Sequence, residues 1–254
     1  MNKILEVKNV TKYYGGGQAI TKALDGISLE VEKGEFVAIM GASGSGKSTL
    51  LNVIATIDKV SSGDIILDGQ NICDCSDKAL ASFRRVKLGF IFQDYNLLDT
   101  LTVEENIILP LNLARVPKAK SDKMLADIAA KLGVADKLKQ FPYELSGGQR
   151  QRASAARALI TNPSLVLADE PTGALDSKNS RLLMDTFNMM NADLGATILM
   201  VTHDAVMGSY ASRVLFLKDG KIWSELVRGN KSRQDMYAEI LSVTSALGGD
   251  GDVR

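Results

Sequence analysis

Apolar residues in this chain fall into short runs and alternations. Ile4-Leu5-Glu6-Val7-Lys8-Asn9-Val10 reads as a first strand, ending at Tyr13-Tyr14 and the glycines Gly15 to Gly17. Ile27, Leu29 and Val31 then alternate with Ser28, Glu30 and Glu32, a period of two that marks a half-buried strand antiparallel to the first. Four runs of strand length are almost wholly apolar: Phe36 to Met40, Leu88 to Phe92, Ser164 to Ala168 and Thr197 to Val201. They predict buried strands of an α/β sheet, with a shorter strand and turn at Ile65 to Gly69. Helical patterns cover Thr49 to Ala55, Ser76 to Arg85, Thr102 to Ala114 and Ser121 to Leu132, the last two separated by Pro117 and a lysine-rich turn. From roughly residue 94 to 161 the chain is mainly helical, which predicts a helical subdomain inserted into a strand–helix core. Val214 to Leu217 and Lys221 to Trp223 predict a hairpin across Asp219-Gly220, and Met236, Ile240 and Leu247 an amphipathic helix at about 232–247.

Composition narrows the class. The 254 residues are 45% hydrophobic, ordinary for a globular chain that buries a core. Lys plus Arg equals Asp plus Glu at 30 each, so no overall field favours nucleic acid as a partner. No apolar run is long enough to cross a bilayer, and the charged residues among the first eight argue against a signal peptide, so a cytosolic protein is expected. Cys73 and Cys75 form a C-x-C pair that bridges poorly and lacks further metal ligands nearby, so both read as incidental.

The strongest chemical signal is Gly41-Ala42-Ser43-Gly44-Ser45-Gly46-Lys47-Ser48-Thr49, which fits G-x-x-x-x-G-K-[ST] at every fixed position. It lies between a predicted strand and a predicted helix, the context that makes the pattern a phosphate site. Glycines let the backbone bend round an anion, and its N–H groups join the positive end of the helix in an oriented cage. Lys47 is placed to reach the β- and γ-phosphates, and Ser48 to offer a hydroxyl to Mg²⁺.

Other candidates are weaker singly. Tyr14 either packs as a strand end or stacks on adenine. Gln93, just after a strand, is a loop glutamine or a contact to Mg²⁺ or water. Ser146 is a good N-cap before Gly147-Gly148-Gln149 and a strong helix former, so this turn is a helix cap or a second anion site. A second such site makes sense if it covers a nucleotide held by another copy. Asp169-Glu170 closes a buried strand, where one carboxylate can hold Mg²⁺ through water and the next can deprotonate the attacking water. His203, the single histidine, follows another core strand and is either structural or a γ-phosphate contact.

Taken in order, these segments resemble the nucleotide-binding subunit of an ABC transporter along essentially the whole chain. Its phosphate loop matches Gly41 to Thr49, its Q-loop Gln93, its LSGGQ signature Leu145 to Gln149, its Walker B pair Asp169-Glu170, its switch histidine His203 and its adenine-stacking aromatic Tyr14. The D-loop departs from the frequent Ser-Ala-Leu-Asp, reading Gly173-Ala174-Leu175-Asp176, so any hydroxyl role at its first position is absent.

The resemblance implies an α/β P-loop NTPase of ABC type: a RecA-like core, an N-terminal antiparallel β subdomain and an inserted α-helical subdomain, all one ATPase domain over 1–254. It implies ATP hydrolysis with Mg²⁺ in a homodimer, each nucleotide sandwiched between one copy's loop and the other's signature. Lys47, Glu170 and His203 would be catalytic, Ser48, Gln93 and Asp169 would serve the metal, and Ser146 to Gln149 would close on the nucleotide. The runs Phe92 to Val103 and Ala168 to Ser177 are similar to a narrower group serving permeases with an extracytoplasmic domain, and Phe92 to Asp99 most resembles the bacitracin type of antimicrobial-peptide detoxification. Macrolide-export, lipoprotein-release and cell-division ATPases are the alternatives, with a soluble non-transport ATPase behind them. The expected partner is such a permease, with a sensor histidine kinase as a further candidate and no nucleic acid. The chain would then sit at the cytoplasmic face of the membrane. Leu97, Leu98 and Leu101 either dock on the permease or pack the insertion's own core.

Overall fold

The computed structural model describes residues 2–15, 20–92, 95–173 and 176–249. The chain divides into two compact units, Met1–Ser76 with Thr197–Arg254, and Asp77–Ala196.

The first unit contains β1 (Lys3–Tyr14), which ends at the tyrosine pair as expected, and β2 (Thr21–Glu32), antiparallel as the alternation predicts but starting six residues before the predicted stretch. The first does not alternate strictly, because Val7 and Val10 are both buried three positions apart. Val7 pairs with Leu29 and Val10 with Ile27, so β1 carries one residue more than β2 between these pairs. Asn9, at φ 49°, makes that bulge and returns Val10 to the core side. β4 (Ser62–Leu67) pairs with the other edge of β1, and β5 (Gln70–Asn71) completes an antiparallel sheet in the order β2-β1-β4-β5.

β3 (Phe36–Gly41) runs parallel to β8 (Ile198–Val201) on one side and to β9 (Arg213–Lys218) on the other. Phe36 to Met40 are all buried, the unbroken apolar run a strand needs when both its faces are covered. β9 returns as β10 (Lys221–Val227) across Asp219 and Gly220, both at positive φ (49° and 73°), the two-residue turn whose twist suits a hairpin. α8 (Arg233–Gly249) buries Met236 and Ile240 beside the short α7 (Ala205–Gly208), which is the docking surface the sequence alone does not name. Arg233 caps the contact, its guanidinium 4.4 Å from the centre of the Tyr210 ring. Leu247 is only half-buried.

The second unit opens with α2 (Asp77–Lys87) and the parallel pair β6 (Leu88–Phe92) and β7 (Leu165–Asp169), in which Phe92 is paired with Asp169. Between these strands stand α3 (Val103–Leu113), α4 (Lys118–Lys131) and α5 (Gly147–Leu159), which pack on one another, and α6 (Ser177–Ala192) follows β7. Pro117 is the N-cap of α4, so the lysine-rich turn expected there is in fact the helix's first turn. Asp176 caps α6, its carboxylate accepting from the Asn179 N–H at 2.8 Å. Asn106 on α3 is fully buried, donating to the carbonyls of Leu98, Leu101 and Thr102 and accepting from the Leu98 N–H. A single amide thereby holds the loop that leads into α3.

Candidate nucleotide site

In the first unit the phosphate loop leaves β3 and enters α1 (Lys47–Ile54), two residues earlier than the periodicity predicts. Gly46 makes this start possible: it takes φ 104°, and a Cβ there would stand 2.5 Å from the Ala23 carbonyl oxygen. Gly41 is just as confined, since its Cβ would meet the Leu217 carbonyl oxygen at 2.3 Å. The Lys47 ammonium turns back over the loop and donates to the carbonyls of Gly41 (2.9 Å) and Ala42 (2.8 Å), although the side chain is buried. Ser45 Oγ is buried with no hydrogen-bond partner among the described residues. The hairpin tip braces the loop from outside: the Gly220 N–H donates to the Ser45 carbonyl (3.1 Å), and the Gly220 carbonyl accepts from the Asp25 N–H (2.8 Å). Ala42, Ser43, Gly44 and Ser48 are exposed, whereas Thr49, at the start of α1, is half-buried.

His203 stands at the same edge of this sheet. β3 and β8 are parallel with Ile39 opposite Val201, so Gly41 and His203 each follow two residues beyond a matched pair. His203 is exposed, and its neighbour Asp204 caps α7 by accepting from the Val206 N–H at 2.7 Å. Tyr14, at the end of β1, is 40% exposed and donates its hydroxyl to Asp58 at 2.7 Å. Burial first, and then the Asp58 carboxylate, raise the Tyr14 pKa, while the Thr49 side chain acts on the same hydroxyl in the opposite sense. Burial by itself would push the Asp58 carboxyl up, yet the Lys12 ammonium, the Tyr14 hydroxyl and the Lys59 N–H together hold it below its ordinary value.

The second unit carries the carboxylates and the signature. Asp169 is the last residue of β7 and Glu170 follows it, half-buried, at φ 41°. A glutamate in the left-handed region is strained, and such residues concentrate where a side chain must be aimed. The Gly173 N–H donates to the Glu170 carbonyl at 3.0 Å, closing the turn. Gln93, Ala174 and Leu175 lie outside the described residues.

Ser146 caps α5 as predicted and its partner is Gln149: each side chain accepts the other's backbone N–H, at 3.3 Å and 2.9 Å. Gly147 and Gly148 thus form the first turn of a capped helix. Gly148 also answers a packing demand, for its Cβ would lie 2.2 Å from Asn179 Oδ1. Asn179 in turn donates from its amide to Asp176 Oδ2 at 2.8 Å, so the signature turn rests on the cap of α6.

Several residues that matter here carry no motif. On α5, Ser154 Oγ and Arg157 Nη2 donate to the Tyr95 carbonyl, each at 2.9 Å, and Arg157 Nη1 donates to the Asn96 carbonyl at 2.6 Å. Arg150 lies over the Tyr95 ring at 5.2 Å. Tyr95 and Asn96 both hold positive φ, 59° and 48°, and this clamp fixes them there. Burial lowers the Arg157 pKa, but a guanidinium stays charged and strengthens the bonds it gives. Gln151 adds a buried bond to the Pro171 carbonyl at 3.1 Å, tying α5 to the turn after Glu170. The readable signal was spacing, since 150, 154 and 157 share one face of a helix. Of the three leucines before α3, Leu98 is 45% exposed while Leu97 and Leu101 are half-buried.

Known proteins match this chain closely. The family described as ABC transporter matches residues 24–173. The bacitracin export ATP-binding protein BceA of Halalkalibacterium halodurans is 52% identical over 97% of this chain and 97% of its own length. The ABC transporter ATP-binding protein YxdL of Bacillus subtilis is also 52% identical, over 99% and 97%. Among solved structures, the dimeric post-hydrolysis state of the ATP-binding cassette MJ0796, bound to ADP and Pi, superposes with a TM-score of 0.79 at 40% identity, covering 88% of this chain and 98% of that one. With its phosphate loop, signature turn and carboxylate pair all present on this fold, the chain belongs to the ABC transporter family as an ATP-binding domain.

Proposed function

We propose that this chain is an ATPase subunit that works as a homodimer and drives a separate membrane permease in antimicrobial-peptide export or detoxification. One observation carries the chemistry: a phosphate loop so confined at Gly41 and Gly46 that no side chain fits, with the Lys47 ammonium drawn over it. A triphosphate offers that ammonium and the loop N–H groups, from Gly41 through Thr49, the anionic partners they are arranged for. Tyr14 stacks on the base, Glu170 orients and deprotonates the attacking water, and His203 holds the γ-phosphate. The Ser146 to Gln149 turn covers the nucleotide held by the other copy. Ser48, Gln93 and Asp169 supply hydroxyl, amide and carboxylate oxygens, hard donors that suit Mg²⁺, which neutralises phosphate charge when bound.

The peptide role is supported by the near-full-length likeness to a bacitracin export subunit. The need for a permease is supported by the family and by the finding that, among the described residues, no helix is long and apolar enough to cross a membrane. In this reading the permease bears an extracytoplasmic domain, a sensor histidine kinase can join it, and the chain lies at the cytoplasmic face. Residues of about 94–161 move as a helical subdomain within one ATPase domain spanning 1–254, and the segment after Gln93 presses on the permease.

Glu170→Gln tests the chemistry. Phosphate release should fall by about 10²- to 10⁴-fold while ATP still drives dimerisation on a sizing column. Undiminished release from that variant would refute Glu170 as the base.

A further inference from the structure

Two exposed tyrosines end β1, and the structure treats them differently. The Tyr13 ring faces Lys22 of the neighbouring strand at 5.7 Å. Tyr14 instead is fastened to the loop that follows α1. Its hydroxyl donates to Asp58 Oδ2 at 2.7 Å, and Lys12 donates to Asp58 Oδ1 at 2.6 Å and to the Lys59 carbonyl at 2.7 Å. The same Lys12 ammonium lies over the Tyr14 ring, 4.9 Å from its centre, with only 12% of the lysine side chain exposed. The loop itself is pinned to α1, since the N–H groups of Ile57 and Asp58 both donate to the Asn52 carbonyl. α1 is the helix that begins at Lys47 of the phosphate loop.

Resting on the reading of Tyr14 as the base-stacking residue, we propose that Lys12 and Asp58 are positioning residues for the nucleobase. Lys12 covers one face of the Tyr14 ring and so leaves the other to the base. Asp58 fixes the hydroxyl, and with it the tilt of the ring, relative to the helix that carries the phosphate-binding lysine. The spacing between base and triphosphate is thereby set within a single folded unit, by a carboxylate that spends one oxygen on the cation and the other on the phenol. A freely rotating tyrosine would have to be ordered by each nucleotide that binds, at a cost in affinity.

The inference separates base recognition from phosphate recognition, and the experiment does the same. In the dimer-competent full chain, KM for ATP is compared with the inhibition constant of inorganic tripolyphosphate, which has no base. Asp58→Asn and Lys12→Met should each raise KM for ATP about three- to tenfold, the worth of an oriented aromatic contact. Inhibition by tripolyphosphate should stay within about twofold of the wild type, and so should kcat, because the phosphate loop is untouched. Tyr14→Phe keeps the ring, loses its tether and should raise KM for ATP as Asp58→Asn does; it carries the test of KM if Asp58→Asn folds poorly. Tyr14→Ala is the control for the underlying reading. If it raises KM while the other three variants leave KM at the wild-type value, Lys12 and Asp58 only brace a strand end and the inference fails. If Tyr14→Ala also leaves KM unchanged, the stacking role itself fails, and the inference with it. A parallel loss of ATP and tripolyphosphate binding would mark a general structural effect and refute the proposal as well.

Discussion

Replacing Gly148 by alanine separates the two demands made on the signature turn. The residue is buried near the start of α5, and an alanine Cβ would lie 2.2 Å from Asn179 Oδ1. Ordinary contact requires the amide oxygen to retreat by about 1 Å or more. The oxygen belongs to a side chain, but not a loose one, for the same amide donates to Asp176 Oδ2 and its backbone N–H is held by Asp176 Oδ1. Moving it means leaving a rotamer well and crowding a packed contact, about 1–3 kcal/mol in comparable overpacked sites. Against this stands the better helix propensity of alanine over glycine, up to about 1 kcal/mol and less in a first turn. The clash wins, with a net loss of about 1–2 kcal/mol, or a few degrees in Tm for a chain of this size. The decisive measurement is a thermal-unfolding double-mutant cycle with Asn179→Ala. Once the amide is gone, Gly148→Ala should no longer destabilise, and the retained propensity term should leave it neutral or up to about 2 °C more stable. Equal destabilisation in both backgrounds would show that Asn179 does not confine Gly148.

Two further outcomes are expected. Arg157→Met, which keeps most of the side-chain volume, should cost about 2–3 kcal/mol by removing charge-assisted bonds to the carbonyls of Tyr95 and Asn96, and should speed hydrogen exchange in residues 95–101; unchanged exchange would refute the clamp. The Asp58 carboxyl is held below its ordinary 3.8, so its contribution to stability is full above that value and lost as pH falls toward the lower folded value. Wild-type and Asp58→Asn melting curves should therefore differ by a constant amount above about pH 5 and converge only below about pH 4, and convergence already at pH 6 would contradict this.

The sequence is most legible where one physical demand sets a whole run. Phe36 to Met40 had to be apolar throughout because β3 is flanked and covered, and the glycine–lysine loop after it has few other uses. Boundaries were less legible where one residue bends the rule. Asn9 breaks the alternation of β1 midway, and Gly46 starts α1 before any apolar period can be counted. The supporting residues were least legible of all. Asp58 and Arg157 bond to partners 44 and 61 positions away and Asn179 confines a glycine 31 positions away; of the three, only Arg157 carries a local signal, the helix face it shares with Arg150 and Ser154.

The bond from Gly220 to Ser45 has a bearing on synthesis. The phosphate loop emerges early from the ribosome, but the strands that flank β3 and the turn that supports its loop come some 150 to 180 residues later. A nascent chain therefore carries its most recognisable motif long before that motif has walls. Contacts of such long sequence separation form slowly, and competence to hold a nucleotide should arrive only with the last hairpin.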